Sequence, residues 1–199
     1  MLNNVIGVEL LSQSLLPAII ELSTDTKWRV RFAIIELMPM LINQLGLEFF
    51  NDQLCELTLN WLCDRVYTIR RAASENLSAL TEKFGEEWTI KHVVPKLTAL
   101  QKQPNYLHRI IGIYALSTLT HSFSNVNNMN ILLPIVLNAA ADNVPNVRFT
   151  AIKVLVEQYK LLKNTSNQKA ASQIMDVISN LNATDVDKDV LFYSNEVSS

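Results

Sequence analysis

Apolar residues recur three and four positions apart through most of the chain, as in Phe32, Ile35, Met38, Leu41, Ile42 and Leu45. An α-helix turns once every 3.6 residues, so this spacing gathers them on one face and predicts helices rather than strands. Read along the whole chain, the pattern predicts alternating helices A and B. The A helices fall at roughly 13–23, 48–63, 88–101 and 128–141, and the B helices at 28–44, 67–83, 106–122 and 146–162. The segments Gly46 to Phe50 and Phe84-Gly85-Glu86 supply stops and re-entries, glycine being favoured just past a helix end. Residues 1–11 are apolar and helix-like but have no hairpin partner, which predicts the remnant of a preceding repeat cut from a longer solenoid.

The A–B pair is itself repeated. Arg31, Arg70, Arg109 and Arg148 follow one another at a constant step of 39 residues. Six residues before each stand Asp25, Asp64, Gln103 and Asp142, so the acid is missing once. Fourteen residues before three of them stand Pro17, Pro95 and Pro134, with Glu56 in the second repeat. A proline there removes a backbone donor and predicts a bent A helix. A two-helix unit of this length lies beside the HEAT/armadillo window of roughly 40–47 residues and away from ankyrin and tetratricopeptide periods. The predicted fold is all-α, an α-solenoid of about five HEAT-type hairpins in one domain over 1–199. Its approximate repeats are 13–45, 48–84, 87–123, 127–163 and 166–197, the last with a slipped phase as suits a capping unit.

Stacking hairpins brings each A–B turn beside the next, so an Arg of one repeat can reach the Asp of its neighbour. Asp25, Arg31, Asp64, Arg70, Arg109, Asp142 and Arg148 are thus expected to form a ladder, with Gln103 its weak rung. Because Gln103 replaces the acid of Arg109's own turn, the expectation ranks Arg70 above Arg109 in contribution. The competing reading is a row of unrelated exposed charges, where each pair is worth only ~0–1 kcal/mol. Trp28, Tyr67, Tyr106 and Pro145 also recur at the 39-residue step, three residues ahead of each Arg. With neighbouring helices 8–10 Å apart, they would line an edge of roughly 25–30 Å, in the residue types that dominate protein-binding hot spots. Each ring could instead fold over its own helix and join the core.

Composition narrows the choice of function. With 17 Lys+Arg against 19 Asp+Glu and no basic block, a nucleic-acid or anionic-membrane surface is not expected. Ile110 to Ala141 carries no charged residue, yet its apolar parts fall short of the ~20 residues a bilayer requires, and Asn125, Asn127, Asn128 and Asn130 divide them. Cys55 and Cys63 have no CxxC spacing and read as reduced core residues of an intracellular, cytoplasmic protein, with the nucleus as an open alternative. His92, His108 and His121 show no metal-ligand or triad spacing. No enzyme activity, metal or cofactor is expected.

The runs SLLPAIIEL, DTKWRVRFAIIELMP, LGLEFF, WLCDRVYTIRRAA, EKFGEEW, QPNYLHRI, LLPIVL and NVPNVRF resemble the C-terminal HEAT repeats of the scaffold (A) subunits of protein phosphatase 2A. The likeness runs from Leu10 to about Phe149 and weakens through Lys160–Ser199. It implies a non-catalytic scaffold that holds the phosphatase catalytic subunit through its intra-repeat turns. Carried over residue by residue, the contacts fall on Trp28 and Arg29, Tyr67, Tyr106, and Val144 with Pro145, a proline weakening the fourth. Regulatory B-type subunits would be held only by N-terminal repeats that have no counterpart in this sequence. The alternative is a transport-receptor-like HEAT adaptor that binds protein cargo.

Overall fold

The computed structural model describes residues 15–44, 46–163, 165 and 167–196. Residues 1–14 lie outside it, and with them the expected remnant at 1–11 and the start of the first A helix, as do Leu45, Asn164, Ser166 and 197–199. The fold is all-α, an α-solenoid of HEAT-type hairpins, and it divides into two compact units, one ending at Gly85 and one beginning at Glu86.

In the first unit, α1 (Leu16–Ser23) leads through a tight turn into α2 (Trp28–Gln44). The second hairpin has a segmented outer layer of α3 (Leu47–Gln53), α4 (Cys55–Asn60) and a 3₁₀ turn (Trp61–Cys63), followed by α5 (Tyr67–Phe84). The two B helices, α2 and α5, pack side by side as the inner layer. Their seam is made of Ile35, Met38, Ile42, Ile69, Ala73 and Leu77, each at most 1% exposed. Covering a side chain of this kind contributes about 1.5–3 kcal/mol, and this apolar seam is what drives the stacking. Side chains also tie the two hairpins together: Asn76 donates to the Ile35 carbonyl at 3.0 Å, and the Trp61 indole donates to the Ser23 carbonyl at 3.2 Å. Phe50 and Phe84 close the far end with ring centroids 5.0 Å apart. Helix α5 stops at Gly85, whose φ of +89° lies in the region that disfavours a side chain.

The second unit has three hairpins: α6 (Glu86–His92) and α7 (Val94–Leu100) with α8 (Tyr106–Ser122); α9 (Val126–Ala139) with α10 (Pro145–Leu162); and α11 (Gln168–Thr184) with α12 (Lys188–Glu196). Here too the inner helices stack in order, α8 on α10 and α10 on α12. Glu86 joins the first hairpin to the second. Its Oε1 accepts from Ser124 Oγ and the Ser124 amide at 2.7 Å, and its Oε2 accepts from Asn128 Nδ2 at 2.6 Å, at the start of α9. Burial alone would raise this carboxyl, but the donors from Asn128, Ser124 and Asn125 outweigh it and hold the group below its usual range.

The breaks in the A helices do not follow the prolines at which bends are expected. Helix α9 runs unbroken through Pro134, whereas the second repeat, which has no proline, breaks at Leu54 with φ −122°. The helix before Pro95 does break, at Val93. Leu54 and Val93 are both almost completely buried, so the breaks sit where a large apolar side chain turns into the core. Proline is therefore neither necessary nor sufficient for a break of the A helix among the described residues.

Candidate functional site

Each A–B turn is shaped by a short side chain bonding its own backbone two residues on. Asp25, Asp64, Asp142 and Asp185 each accept, through Oδ1, from the amide two positions later, at 2.6, 2.8, 2.8 and 3.0 Å respectively. This is the Asx-turn geometry that makes Asp and Asn favoured at helix entries. The third turn has Gln103 at the Asp position, too long for this bond. There Asn105 substitutes, accepting from the Leu107 amide at 3.0 Å as the N-cap of α8.

The recurring Arg clamps two such turns together. Arg31 donates from Nη1 to the Asp25 and Thr26 carbonyls of its own turn, at 2.6 and 3.3 Å. Through Nε and Nη2 it grips both oxygens of Asp64 in the next turn, each at 2.8 Å. Arg109 does the same with the Gln103 and Pro104 carbonyls and the Asp142 carboxylate, at 2.7 and 3.0 Å to the latter. Arg148 does so with the Asp142 and Asn143 carbonyls and the Asp185 carboxylate, at 2.6 and 2.8 Å. Paired, parallel N–H···O⁻ bonds are the strongest form of this contact, and the side chains are mostly shielded, 5% and 11% exposed for Arg31 and Asp64.

The electrostatics follow the geometry. Burial pushes the Asp142 carboxyl up, but the hydrogen bond from Arg109, the Val144 amide and the charges of Arg109 and Arg148 together hold it below its usual range. Asp185 is lowered chiefly by its bond from Arg148, against an opposing effect of burial. The same bond raises Arg148. Asp142 and Asp185 thus each shape one turn and tie it to the Arg of the turn before.

Among the described residues, all the pairing runs forward, from an Arg to the Asp of the following repeat. That direction reverses the expected ranking of Arg70 over Arg109. Arg109 has its carboxylate, whereas Arg70 bonds the Asp64 and Arg65 carbonyls of its own turn, at 2.8 and 3.2 Å. Asp25 contributes as the Asx residue of the first turn and as the carbonyl under Arg31. The sequence places a turn-like segment at Asp185–Val190 but leaves Asp185 out of the ladder, because the fixed step of 39 residues beyond Arg148 falls on Asp187 and not on an Arg. An Asp directly after an apolar helix, as at Asp142, was the available signal.

In front of the clamps stand the residues singled out for protein contact. Tyr67 and Tyr106 open α5 and α8 and are 59% and 39% exposed. Trp28 is half-buried, its ring edge-on to Phe32 at 6.3 Å and covered by the exposed Arg29 guanidinium at 4.7 Å. Val144 is half-buried and Pro145 exposed. Val186 in the fifth turn, 90% exposed, was not singled out. In the first unit the turns border an open notch of about 730 Å³ walled by Ile20, Leu57 and Trp61 and edged by Asp25, Asp52 and Glu56. The histidines stay apart: His92 stacks on Trp88, and His121 lies 3.4 Å from Glu157, which also accepts from Ser117 Oγ. Cys55 is buried, which raises its thiol, and Cys63 is half-buried. Among the described residues, no helix is long and apolar enough to cross a membrane.

Stacked two-helix hairpins with clamped turns make an α-solenoid of HEAT-type fold, and the HEAT repeat family profile matches residues 132–157. Over 99 residues the chain is 42% identical to the regulatory (A) subunit of protein phosphatase PP2A from Saccharomyces cerevisiae, a match covering 43% of this chain and 16% of that protein. Among solved structures, Cex1p superposes with a TM-score of 0.69 over 96% of this chain and 37% of its own, at 18% identity. The TOG domain array of crescerin superposes at 0.60 over 92% of this chain and 72% of its own, at 14% identity. At such identities these two structures share the fold.

Proposed function

We propose that this chain is a non-catalytic scaffold segment that binds the catalytic subunit of protein phosphatase 2A through its intra-repeat turns. The observation that carries the reading is the 42% identity to the yeast PP2A regulatory (A) subunit. Exposed aromatics at the head of α5 and α8 support it. Rings held by a rigid helix start lose little freedom on binding, which suits them as anchors, and Arg29 adds a cation beside Trp28. Contacts are assigned to Trp28 and Arg29, Tyr67, Tyr106, and Val144 with Pro145. The partner supplies the phosphate hydrolysis, and this chain supplies shape, in the cytoplasm or nucleus.

Titrating the purified chain against isolated catalytic subunit tests this, alongside a Trp28→Ala/Tyr67→Ala/Tyr106→Ala variant whose folding is checked by circular dichroism. Saturable binding weakened at least a hundredfold in the variant is expected, since hot-spot truncations cost about 2 kcal/mol or more each. Equal binding by both proteins would remove the contact from the turns. Absence of binding by both would favour the adaptor for other protein cargo.

A further inference from the structure

The second repeat departs from its neighbours at the positions that line the notch beside Arg31. Asp52 and Glu56 stand where the third repeat has Lys91 and Pro95 and the fourth has Asn130 and Pro134, at steps of 39 residues. Trp61 stands where those repeats have Leu100 and Ala139. The notch lies wholly within the first unit, between α1 and the layer of α3 and α4. Its volume of about 730 Å³ falls in the range of ligand pockets, whereas the notches beside Arg109 and Arg148 measure about 340 and 480 Å³. Ile20, Leu57 and Trp61 give it apolar walls, and the Trp61 indole is pinned by its bond to the Ser23 carbonyl. Arg31 and Asp64 neutralise each other at its border. Asp25, Asp52 and Glu56 make no ion pair among the described residues, and the one other cation, Arg65, donates to the Thr26 carbonyl at 2.7 Å. Three carboxylates against one guanidinium leave the rim negative.

We propose that this notch docks a short segment of a partner protein in which an arginine or lysine stands between apolar residues. Apolar groups of the segment lie against Ile20, Leu57 and Trp61, and its cation meets Asp52 and Glu56 at the rim. Three features support that occupant. The negative rim selects a cation and repels acidic segments. Arginine and lysine lay an aliphatic stem along apolar surface while the charged head stays at the water's edge, which is the order of groups from wall to rim in this notch. Asp52 and Glu56 are exposed, so pairing with them does not require a carboxylate to be stripped of all its water. The walls are carried by helices, with Trp61 already hydrogen-bonded, so little freedom remains to be lost on binding. The proposal does not rest on which protein the turns bind.

The indole N–H resonance of Trp61 in the ¹⁵N-labelled chain provides a readout inside the notch. The three indole signals are assigned by the one missing from each of Trp28→Phe, Trp61→Phe and Trp88→Phe, any two of which suffice. The peptide acetyl-Leu-Arg-Leu-amide is titrated in at constant ionic strength, with the Leu-Gln-Leu and Leu-Glu-Leu peptides as uncharged and acidic controls. A saturable shift of the Trp61 signal with the arginine peptide, with Trp88 unmoved, is the expected result. Binding should weaken about tenfold in Asp52→Asn/Glu56→Gln, whose two exposed sites leave the fold intact, and about as much with the Leu-Gln-Leu peptide. Absence of a saturable shift, an equal response to the acidic peptide, or undiminished binding by the double variant overturns the proposal. Because the probe is a peptide, failure leaves the phosphatase reading of the turns untouched.

Discussion

A single guanidinium in this chain makes four bonds to two different turns, and its stabilising effect depends on that geometry. Removing Arg31 leaves the shielded Asp64 carboxylate without its counter-charge, a loss of about 3 kcal/mol by the behaviour of buried pairs. Arg109→Ala and Arg148→Ala, somewhat more exposed, should cost about 2 kcal/mol each. Arg70→Met should cost no more than about 1 kcal/mol, since it removes two carbonyl bonds and also an unpaired buried charge. Urea denaturation of the four variants reads the ranking, and an Arg70 variant as damaged as that of Arg31 would contradict it. The pH dependence has a fixed sign. Asp142, Asp185 and Glu86 all have folded pKa values below their unfolded ones, so their contribution is complete above about pH 5 and is lost as pH falls through the folded values. Melting temperature should drop steeply below about pH 4, and Asp142→Asn and Asp185→Asn, less stable at neutral pH, should show a flatter acid limb. The Asp–Arg spacing was legible in the sequence because each charged type recurred at one step. The carbonyl half of the clamp was not, since backbone acceptors leave no mark in residue identity.

Among the elements, the B helices were read almost to the residue, α2 and α8 at the predicted 28–44 and 106–122. Their apolar stripe faces one neighbour throughout, so periodicity and packing agree. The A helices were read less well, because their breaks at Leu54 and Val93 follow from burial of those side chains rather than from a breaker residue. A close approach between A and B layers was equally invisible. A Cβ on Gly112, in mid α8, would meet Gln101 Nε2, which donates to the Arg109 carbonyl, and would lie 3.2 Å from Leu100 Cβ. Gly112→Ala gains up to about 1 kcal/mol in helix propensity, but the contact forces α7 and α8 apart and breaks the Gln101 bond. A net destabilisation of about 1 kcal/mol is expected, and thermal unfolding that shows a stabilised variant would refute the tight contact.

For the whole molecule, the repeated hairpin means each unit of structure depends on its neighbours. Deleting 166–199 removes α11 and α12, uncovers the side of α10 that packs on both, and strips Arg148 of Asp185. The truncated chain should keep the helical circular dichroism of its remaining hairpins at 25 °C and melt several degrees lower; complete loss of helicity would show that the last hairpin is required for folding. The repeat architecture was legible because four arginines shared one step, while the position of the last hairpin was not, since Asp185 follows Asp142 by 43 residues rather than 39. What the turns do is decided by what covers them. The most direct measurement is amide hydrogen exchange of the chain with and without the phosphatase 2A catalytic subunit, followed at 24–29, 64–67, 101–107 and 140–147. Slowed exchange in these turns is expected on complex formation, with the mid-helix seams of α2, α5, α8 and α10 unchanged. Protection confined to helix faces away from the turns, or none at saturating partner, would contradict the scaffold reading.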